Sequence, residues 1–377
     1  MSSGDRPSLM LSIMSLGGGG AERNCTLLAG GLAERGYPVS LATLADPATD
    51  FYPVPQGVER FSLNLGQGST GLLSAVRNNR ARIRALRELF RRERPQGIIS
   101  FIDEVNILAT LAAAPLGIPV IISQRADTDL YDSGRIWSML RRYAYPKAAR
   151  LVSVSHGVDD YFDWIPAGRR TVIQNPVSTA VLKAIEQPAP PPPARPYVVA
   201  MGRLAKQKGF DILLQAFARL AGKHSGIDLK ILGEGELRSD LERLGSELGL
   251  AGRVEFPGRL EDPFPTLRAA TVFVLSSRYE GFPNVLTEAM ACGLPVVATD
   301  CPAGPSEIIR HGEDGLLVPV EDPDALASAM DRLLSDAGER QRFGAEAARI
   351  ATRRTLSNHL DQWEAVIGDT LNGDIAH

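Results

Sequence analysis

Short apolar runs alternate along this chain with longer stretches of helical spacing, a pattern that predicts parallel strands linked by helices. Residues 9–16 read as a buried first strand and 22–35 as the helix after it, with Gly17 to Gly20 forming the turn between them. Residues 39–44, 97–102, 120–123 and 151–155 continue the strand series. The pattern breaks at 187–196, where prolines occupy positions 188, 190, 191, 192, 193 and 196. Proline removes backbone donors and fixes φ, so this stretch reads as an extended, semi-rigid spacer. A second series follows at 197–202, 229–232, 254–257, 271–276, 295–299 and 315–318. The expected architecture is α/β: two Rossmann-like doubly wound domains, 1–187 and 197–354, joined by the spacer at 188–196 and facing each other across a cleft. Open parallel sheets bind ligands at the carboxyl ends of their strands, so the cleft is the expected site.

Composition narrows the function classes. A chain of 377 residues with 44% hydrophobic residues can fill two cores. The net charge of −3 gives no general reason to expect nucleic acid as a partner. Cys25, Cys292 and Cys301 form no C-x-x-C pair and fit a reducing compartment. Histidines at 156, 224, 311, 359 and 377 show no H-x-x-x-H spacing, so no protein-held metal is expected. The run 9–16 has the length of a signal-peptide core but ends in four glycines without a small-residue cleavage site. No stretch approaches the ~20 apolar residues of a spanning helix. The expectation is a cytoplasmic protein, with a peripheral contact on the inner face of the membrane left open by one segment. Arg77, Arg80, Arg82, Arg84, Arg87, Arg91, Arg92 and Arg94 share a predicted helix with only Glu88 and Glu93. Ile83, Leu86, Leu89 and Phe90 keep the spacing of a core-facing stripe, and the basic side is either a solvated face or a site for anionic lipid heads.

The chemistry concentrates after residue 271. The strand 271–276 leads into Ser277-Arg-Tyr-Glu280-Gly-Phe-Pro283 and then into a helix predicted over 284–292. Pro283 suits a helix start, and Gly293 suits its end. Such a start presents amide groups and a positive dipole end, which suits a phosphate. Glu280 stands just before it, and Glu288 lies a little over one turn inside, where a carboxylate can accept hydrogen bonds from a ribose diol. Two acids beside a phosphate site require nearby cations, and Arg203 and Lys208 leave the first strand of the second series toward the same crevice. Prepositioned cations stabilise a diphosphate leaving group as its charge develops.

Glu280-Gly-Phe-Pro-Asn-Val-Leu-Thr-Glu288 resembles the E-x7-E signature of retaining GT-B glycosyltransferases, in particular glycosyltransferase family 4. The resemblance extends to 289–299, 315–318, 202–209, 233–238, 18–23 and 175–177, covering nearly the whole chain in order. It is similar to bacterial enzymes of lipid-linked oligosaccharide and surface-polysaccharide assembly. What the resemblance implies is a retaining, metal-independent hexosyltransferase without cofactor, moving a hexose or N-acetylhexosamine from a nucleotide diphosphate sugar, UDP-linked by preference, to a glycan or lipid-diphosphate-linked acceptor. It implies catalytic roles for Glu280, Arg203 and Lys208. It implies donor binding by Glu288, by Gly281, Phe282, Pro283 and Asn284, and by Gly18 and Gly19 in the first half. It also implies that residues 355–377, with Trp363, cross back to the first domain. One position departs from the pattern. Many relatives carry Thr-x-His after the strand 120–123, where this chain has Ser123-Gln124-Arg125. Arg125 cannot serve as a base at neutral pH, so it is expected to bind the donor sugar or an acceptor diphosphate.

Rival readings are a GT-A enzyme using Asp127-Thr-Asp129, a nicotinamide dehydrogenase, a nucleotide-sugar epimerase, and a nonenzymatic nucleotide-sugar-binding protein. The dehydrogenase fingerprint fails because Glu22 occupies the place of its last glycine.

Overall fold

The structure, a computed structural model, describes residues 6–68, 71–125 and 134–372. The Asp127–Asp129 motif lies outside the described residues. The chain divides into two compact units, one comprising 1–175 with 357–377 and the other 176–356.

The first unit carries a seven-stranded, all-parallel sheet: β1 (Leu9–Ile13), β2 (Val39–Thr43), β3 (Glu59–Ser62), β4 (Gly97–Phe101), β5 (Val120–Gln124), β6 (Arg150–Ser153) and β7 (Arg170–Val172). Their order is β3-β2-β1-β4-β5-β6-β7. Helices α1 (Gly20–Glu34), α2 (Leu72–Glu93), α3 (Asp103–Ala113) and α4 (Gly134–Ala144) link strands of this sheet. The second unit repeats the theme with β8 (Tyr197–Met201), β9 (Asp228–Leu232), β10 (Val254–Gly258), β11 (Val272–Leu275), β12 (Val296–Thr299) and β13 (Leu316–Val318), in the order β10-β9-β8-β11-β12-β13. Central strands such as LMLSI and VFVL are buried along their whole length, as strands covered by helices on both faces must be. In both sheets the order reverses beside the first strand, at β1/β4 and at β8/β11. These are the topological switch points where such sheets open a crevice.

Three features differ from the sequence expectation, each for a local reason. The first apolar run continues to Leu16, but the strand ends at Ile13. The next carbonyls turn aside: Met14 O accepts from Ala45 N at 2.7 Å, and Leu16 O accepts from Phe51 N at 2.8 Å. Strands β3 and β7 went unpredicted because they are half-buried edge strands of sequence ERFS and RTV, too polar to register as apolar runs. The division between the units falls at Asn175/Pro176, ahead of the proline-rich segment. The helix Thr179–Glu186 packs within the second unit, where Arg268 donates to the carbonyls of Ala184, Gln187 and Pro188.

The last helix, Leu356–Asn372, packs within the first unit from residue 357 onward. Leu360, Trp363, Val366 and Ile367 form its buried stripe. Gly31 leaves room for Leu360, while Glu364 pairs with Arg35 at 2.5 Å and with Arg6.

Candidate active site

The second unit's crevice is built by loops leaving β8, β9 and β11. After β8 the chain makes a turn, Lys206–Lys208, that ends on Gly209 in the left-handed region at φ 60°. A Cβ at Gly209 would lie 2.1 Å from Ser276 O, so only glycine lets this turn rest on the end of β11. Gly233, at φ 135°, is pressed in the same way against Gly202 O, binding the β9 loop to the β8 loop. Polar bonds then staple the turn to the segment after β11. Ser276 Oγ donates to Lys208 O at 2.8 Å, Arg278 N to Gln207 O at 2.8 Å, and Gln207 Nε2 to Tyr279 O at 3.0 Å. Arg278 reaches Lys206 O at 2.7 Å, grips Asp211 through two nitrogens at 2.9 and 2.7 Å, and also pairs with Glu321.

This clamp sets the one direct meeting among the expected catalytic residues. Lys208 Nζ donates to Glu280 Oε1 at 2.6 Å, and Ser277 Oγ donates to the same oxygen at 2.6 Å. The carboxylate is 5% exposed. An acid buried to that degree needs a counter-charge, and Lys208 supplies it. Arg203 follows β8 by two residues and is exposed.

Gly281, Phe282 and Pro283 are buried, and Pro283 caps the helix Asn284–Ala291. Arg354 lies over the Phe282 ring at 5.3 Å. Glu288 is buried on that helix and accepts from Ser178 Oγ at 3.3 Å, while Ser178 Oγ also caps the helix Thr179–Glu186 by accepting from Val181 N. Burial first, then Glu280 for Cys301 and Glu288 for Cys292, pushes these thiols up to about 12, so both stay protonated and neither offers a thiolate nucleophile.

In the first unit, Gly18 and Gly19 lead into α1 after β1, with Gly19 as the cap. The carboxyl of Glu22 lies against Gly19, and burial raises its pKa. Arg125 stands one residue past β5. Its Nη1 donates to Asn175 Oδ1 at 2.6 Å, and its guanidinium sits 5.0 Å from the Phe101 ring centroid. Its Nε and Nη2 are buried and have no hydrogen-bond partner among the described residues. Burial pulls its pKa down to about 10. Beside it, His359 accepts no proton readily: burial first, then the Arg125 charge, lowers its pKa to about 3. Ile102, directly after β4 at φ 71°, adopts a backbone conformation costly for a β-branched residue. It sits at the switch point, and no sequence pattern announces it.

The arginine-rich helix divides its cations among several tasks. Arg82 is buried and donates to Leu65 O and Gln67 O, and Arg87 donates to Leu111 O. Arg91 and Arg92 pair with Glu88 and Glu93.

Ser277, Ser178, Arg278 and Asp211 escaped the sequence reading. Ser277 and Ser178 directly follow recognised pieces, the strand 271–276 and Asn175-Pro176-Val177. That adjacency was their only signal.

Comparison with known proteins places this geometry. The family described as "Glycosyl transferase 4-like domain" matches residues 19–176, and "Glycosyl transferases group 1" matches 195–336. The lipopolysaccharide core biosynthesis glycosyltransferase LpsE of Rhizobium meliloti is 40% identical over 173 residues, 46% of this chain and 49% of that protein. The chain thus spans about half the length of that relative. A Campylobacter jejuni relative is 27% identical over 361 residues, 96% of this chain and 98% of its own length. It is named GalNAc-alpha-(1->4)-GalNAc-alpha-(1->3)-diNAcBac-PP-undecaprenol alpha-1,4-N-acetyl-D-galactosaminyltransferase. The crystal structure of Anabaena Alr3699/HepE in complex with UDP superposes with a TM-score of 0.76 at 20% identity, covering 96% of this chain and 100% of that one. At that identity the likeness establishes the shared fold, a GT-B pair of Rossmann-like domains.

Proposed function

Because this chain belongs to the group 1 glycosyl transferases of the family 4 type, we propose that it transfers a hexose or N-acetylhexosamine from a UDP-sugar to a lipid-diphosphate-linked glycan in polysaccharide or lipopolysaccharide assembly. The observation that carries the reading is the Lys208–Glu280–Ser277 cluster at the β8/β11 switch point, directly before the helix Asn284–Ala291. The name of the Campylobacter relative supports the acceptor class, that of the Rhizobium relative supports lipopolysaccharide assembly, and the UDP complex of the Anabaena structure supports the nucleotide.

In this reading Glu288 exchanges its Ser178 hydrogen bond for the donor ribose hydroxyls. The first amides of the helix and Arg203 and Lys208 hold the diphosphate, whose growing charge they stabilise as the glycosidic bond breaks. Glu280 already has one oxygen tied to a lysine and a serine, which suits a group that holds sugar hydroxyls better than one that attacks carbon. The acceptor hydroxyl then enters on the face the diphosphate leaves and passes its proton to the departing phosphate oxygen, with retention of configuration. Positive charge comes from side chains, so transfer proceeds with EDTA present. Gly18, Gly19 and Arg125 serve the reaction from the first unit. Arg125 takes an anionic or hydroxyl-rich group of the acceptor or donor on the nitrogens that have no hydrogen-bond partner among the described residues.

The test is a donor panel of UDP-hexoses, UDP-N-acetylhexosamines and GDP-mannose with polyprenyl-diphosphate glycans, products read by mass spectrometry and anomeric configuration by NMR. An α-linked product from one UDP-sugar, formed with EDTA present, is the expected result. Binding of UDP-sugars without turnover on any acceptor would instead favour the nonenzymatic reading, and an epimerised donor the epimerase.

A further inference from the structure

Helix α4 turns two different faces outward and inward. Arg141, 1% exposed, binds Asp103 at 2.7 and 2.8 Å and so fixes the helix against α3. The opposite side exposes Ile136 at 56%, Met139 at 71% and Tyr143 at 61%, spaced three and four residues apart and therefore lying on one stripe. Arg135, Arg142 and Lys147 are exposed beside them, and Lys147 Nζ lies 4.2 Å from the Tyr143 ring centroid. Residues 134–147 contain no aspartate or glutamate.

A second patch of the same character opens α2. Leu73 is 89% exposed and Val76 52%, with Arg77, Arg80 and Arg84 exposed after them. Residues 71–87 also contain no acid. The two patches belong together by topology. Helices α2, α3 and α4 carry the successive crossovers β3 to β4, β4 to β5 and β5 to β6, all running the same way across the sheet. Right-handed crossovers put all three on one face of the sheet, with their N-terminal ends at the carboxyl edge of the strands. Helix α3 packs against both neighbours.

Bulky apolar side chains exposed among cations on segments that carry no acid are the marks of elements that lie in a lipid interface. We propose that the N-terminal part of α2 and the exposed stripe of α4 form the face by which this protein docks on an anionic bilayer. Ile136, Met139, Tyr143 and Leu73 enter the headgroup region, and the flanking cations meet lipid phosphates. Charge decides between a bilayer and a second copy of the chain, because two such faces brought together would oppose Arg77, Arg80, Arg84, Arg135, Arg142 and Lys147 with their own like charges, while Asp103, at the start of α3, is already paired with Arg141. The contact therefore lies at 71–87 and 134–147, not at the far end of α2, where Arg91 and Arg92 are paired with glutamates. The proposal is independent of donor and acceptor chemistry.

Flotation of the full chain with vesicles of phosphatidylcholine, with and without about one-third phosphatidylglycerol, tests it. The expected result is binding that requires the anionic lipid and weakens in high salt. The triple variant Ile136→Ser, Met139→Ser, Tyr143→Ser should bind at least about tenfold more weakly, with unchanged circular dichroism and UDP binding. Arg91→Gln with Arg94→Gln should change binding by less than about twofold. Hydrogen exchange on the unmodified protein should show amides of 134–147 protected by anionic vesicles. No vesicle binding, equal binding by the triple variant, or loss through the Arg91/Arg94 pair would overturn the proposal. So would a dimer in solution that the triple variant converts to monomer without any lipid binding.

Discussion

His359 gives the first unit a defined weakness to acid. The ring is 3% exposed on the last helix, edge-on to Trp363, and its Nδ1 lies 2.9 Å from Gln174 O. A carbonyl can only accept, so Nδ1 carries the proton of a neutral ring. Nε2 is buried without a partner among the described residues. Protonating it would place a second cation beside Arg125 in a buried site, and burial with that charge holds the pKa near 3. In the unfolded chain the imidazole titrates near 6.5. The unfolded state therefore binds a proton between these values and the folded state does not. Stability from this group is complete above about pH 6.5 and falls as the pH drops toward 3. At pH 5 the loss is RT ln(1 + 10^1.5), about 2 kcal/mol, provided only that the folded value lies well below 5. All three tryptophans, Trp137, Trp164 and Trp363, belong to the first unit, so their fluorescence reports its unfolding alone. With a urea slope of about 2 kcal/mol/M, the unmodified protein should lose about 1 M in midpoint between pH 8 and pH 5 beyond what His359→Asn loses. The other titrating groups are common to both proteins and cancel in the comparison. Midpoints of the two proteins that move in parallel within about 0.25 M would refute the buried neutral ring.

The remaining predictions concern the second unit. Glu288→Ala should weaken UDP binding by about tenfold or more in calorimetry, whereas Glu280→Ala should lower kcat about a hundredfold while UDP affinity stays within about threefold; equal loss of folded protein in both would make the pair structural. Lys208→Met leaves Glu280 buried without its cation and should destabilise the unit by about 3 kcal/mol in calorimetric unfolding. Adding Glu280→Gln should recover most of that loss, and additive effects would contradict the coupling. Gly209→Ala should cost at least about 2 kcal/mol, combining left-handed strain with the contact to Ser276 O; an unchanged melting temperature would show that the turn is not pressed on β11 as described.

How much of this was legible in the residues depended on distance along the chain. Glu280 and Glu288 share one short segment, so their spacing and helix were readable without any tertiary information. Lys208 lies 72 residues before Glu280, and the two were expected in one crevice because both follow strands that a doubly wound sheet sets side by side. What could not be read was which side chain neutralises which. Ser277 and Ser178 are generic residues in the sequence, and their contacts with Glu280 and Glu288 follow from side-chain direction at a loop and at a helix cap. Arg278 stands between the two best-marked features and carries no signal, since its partners Asp211 and Glu321 come from distant segments. The arginine-rich helix was legible as basic and amphipathic. The retirement of Arg82 and Arg87 onto backbone carbonyls was not, because a cation's partners depend on which loops pack over it.

The same sheet geometry is loaded differently in the two units. At the β8/β11 switch point the acid arrives with its counter-charge, Lys208 on Glu280, and the crevice is internally neutralised before any ligand enters. The first unit places a guanidinium after β5 whose one hydrogen bond among the described residues is to a neutral amide, Asn175, and whose titratable neighbours carry no compensating negative charge. Glu22 is held toward its neutral form by burial, Cys25 likewise, and His359 is kept uncharged. A buried cation in such company is stabilised fully only when an anion joins it. Arg125 stands where many relatives carry histidine. The exchange of a titratable base for a permanent cation suits anion recognition rather than proton transfer, in keeping with the lipid-diphosphate-linked acceptor proposed above.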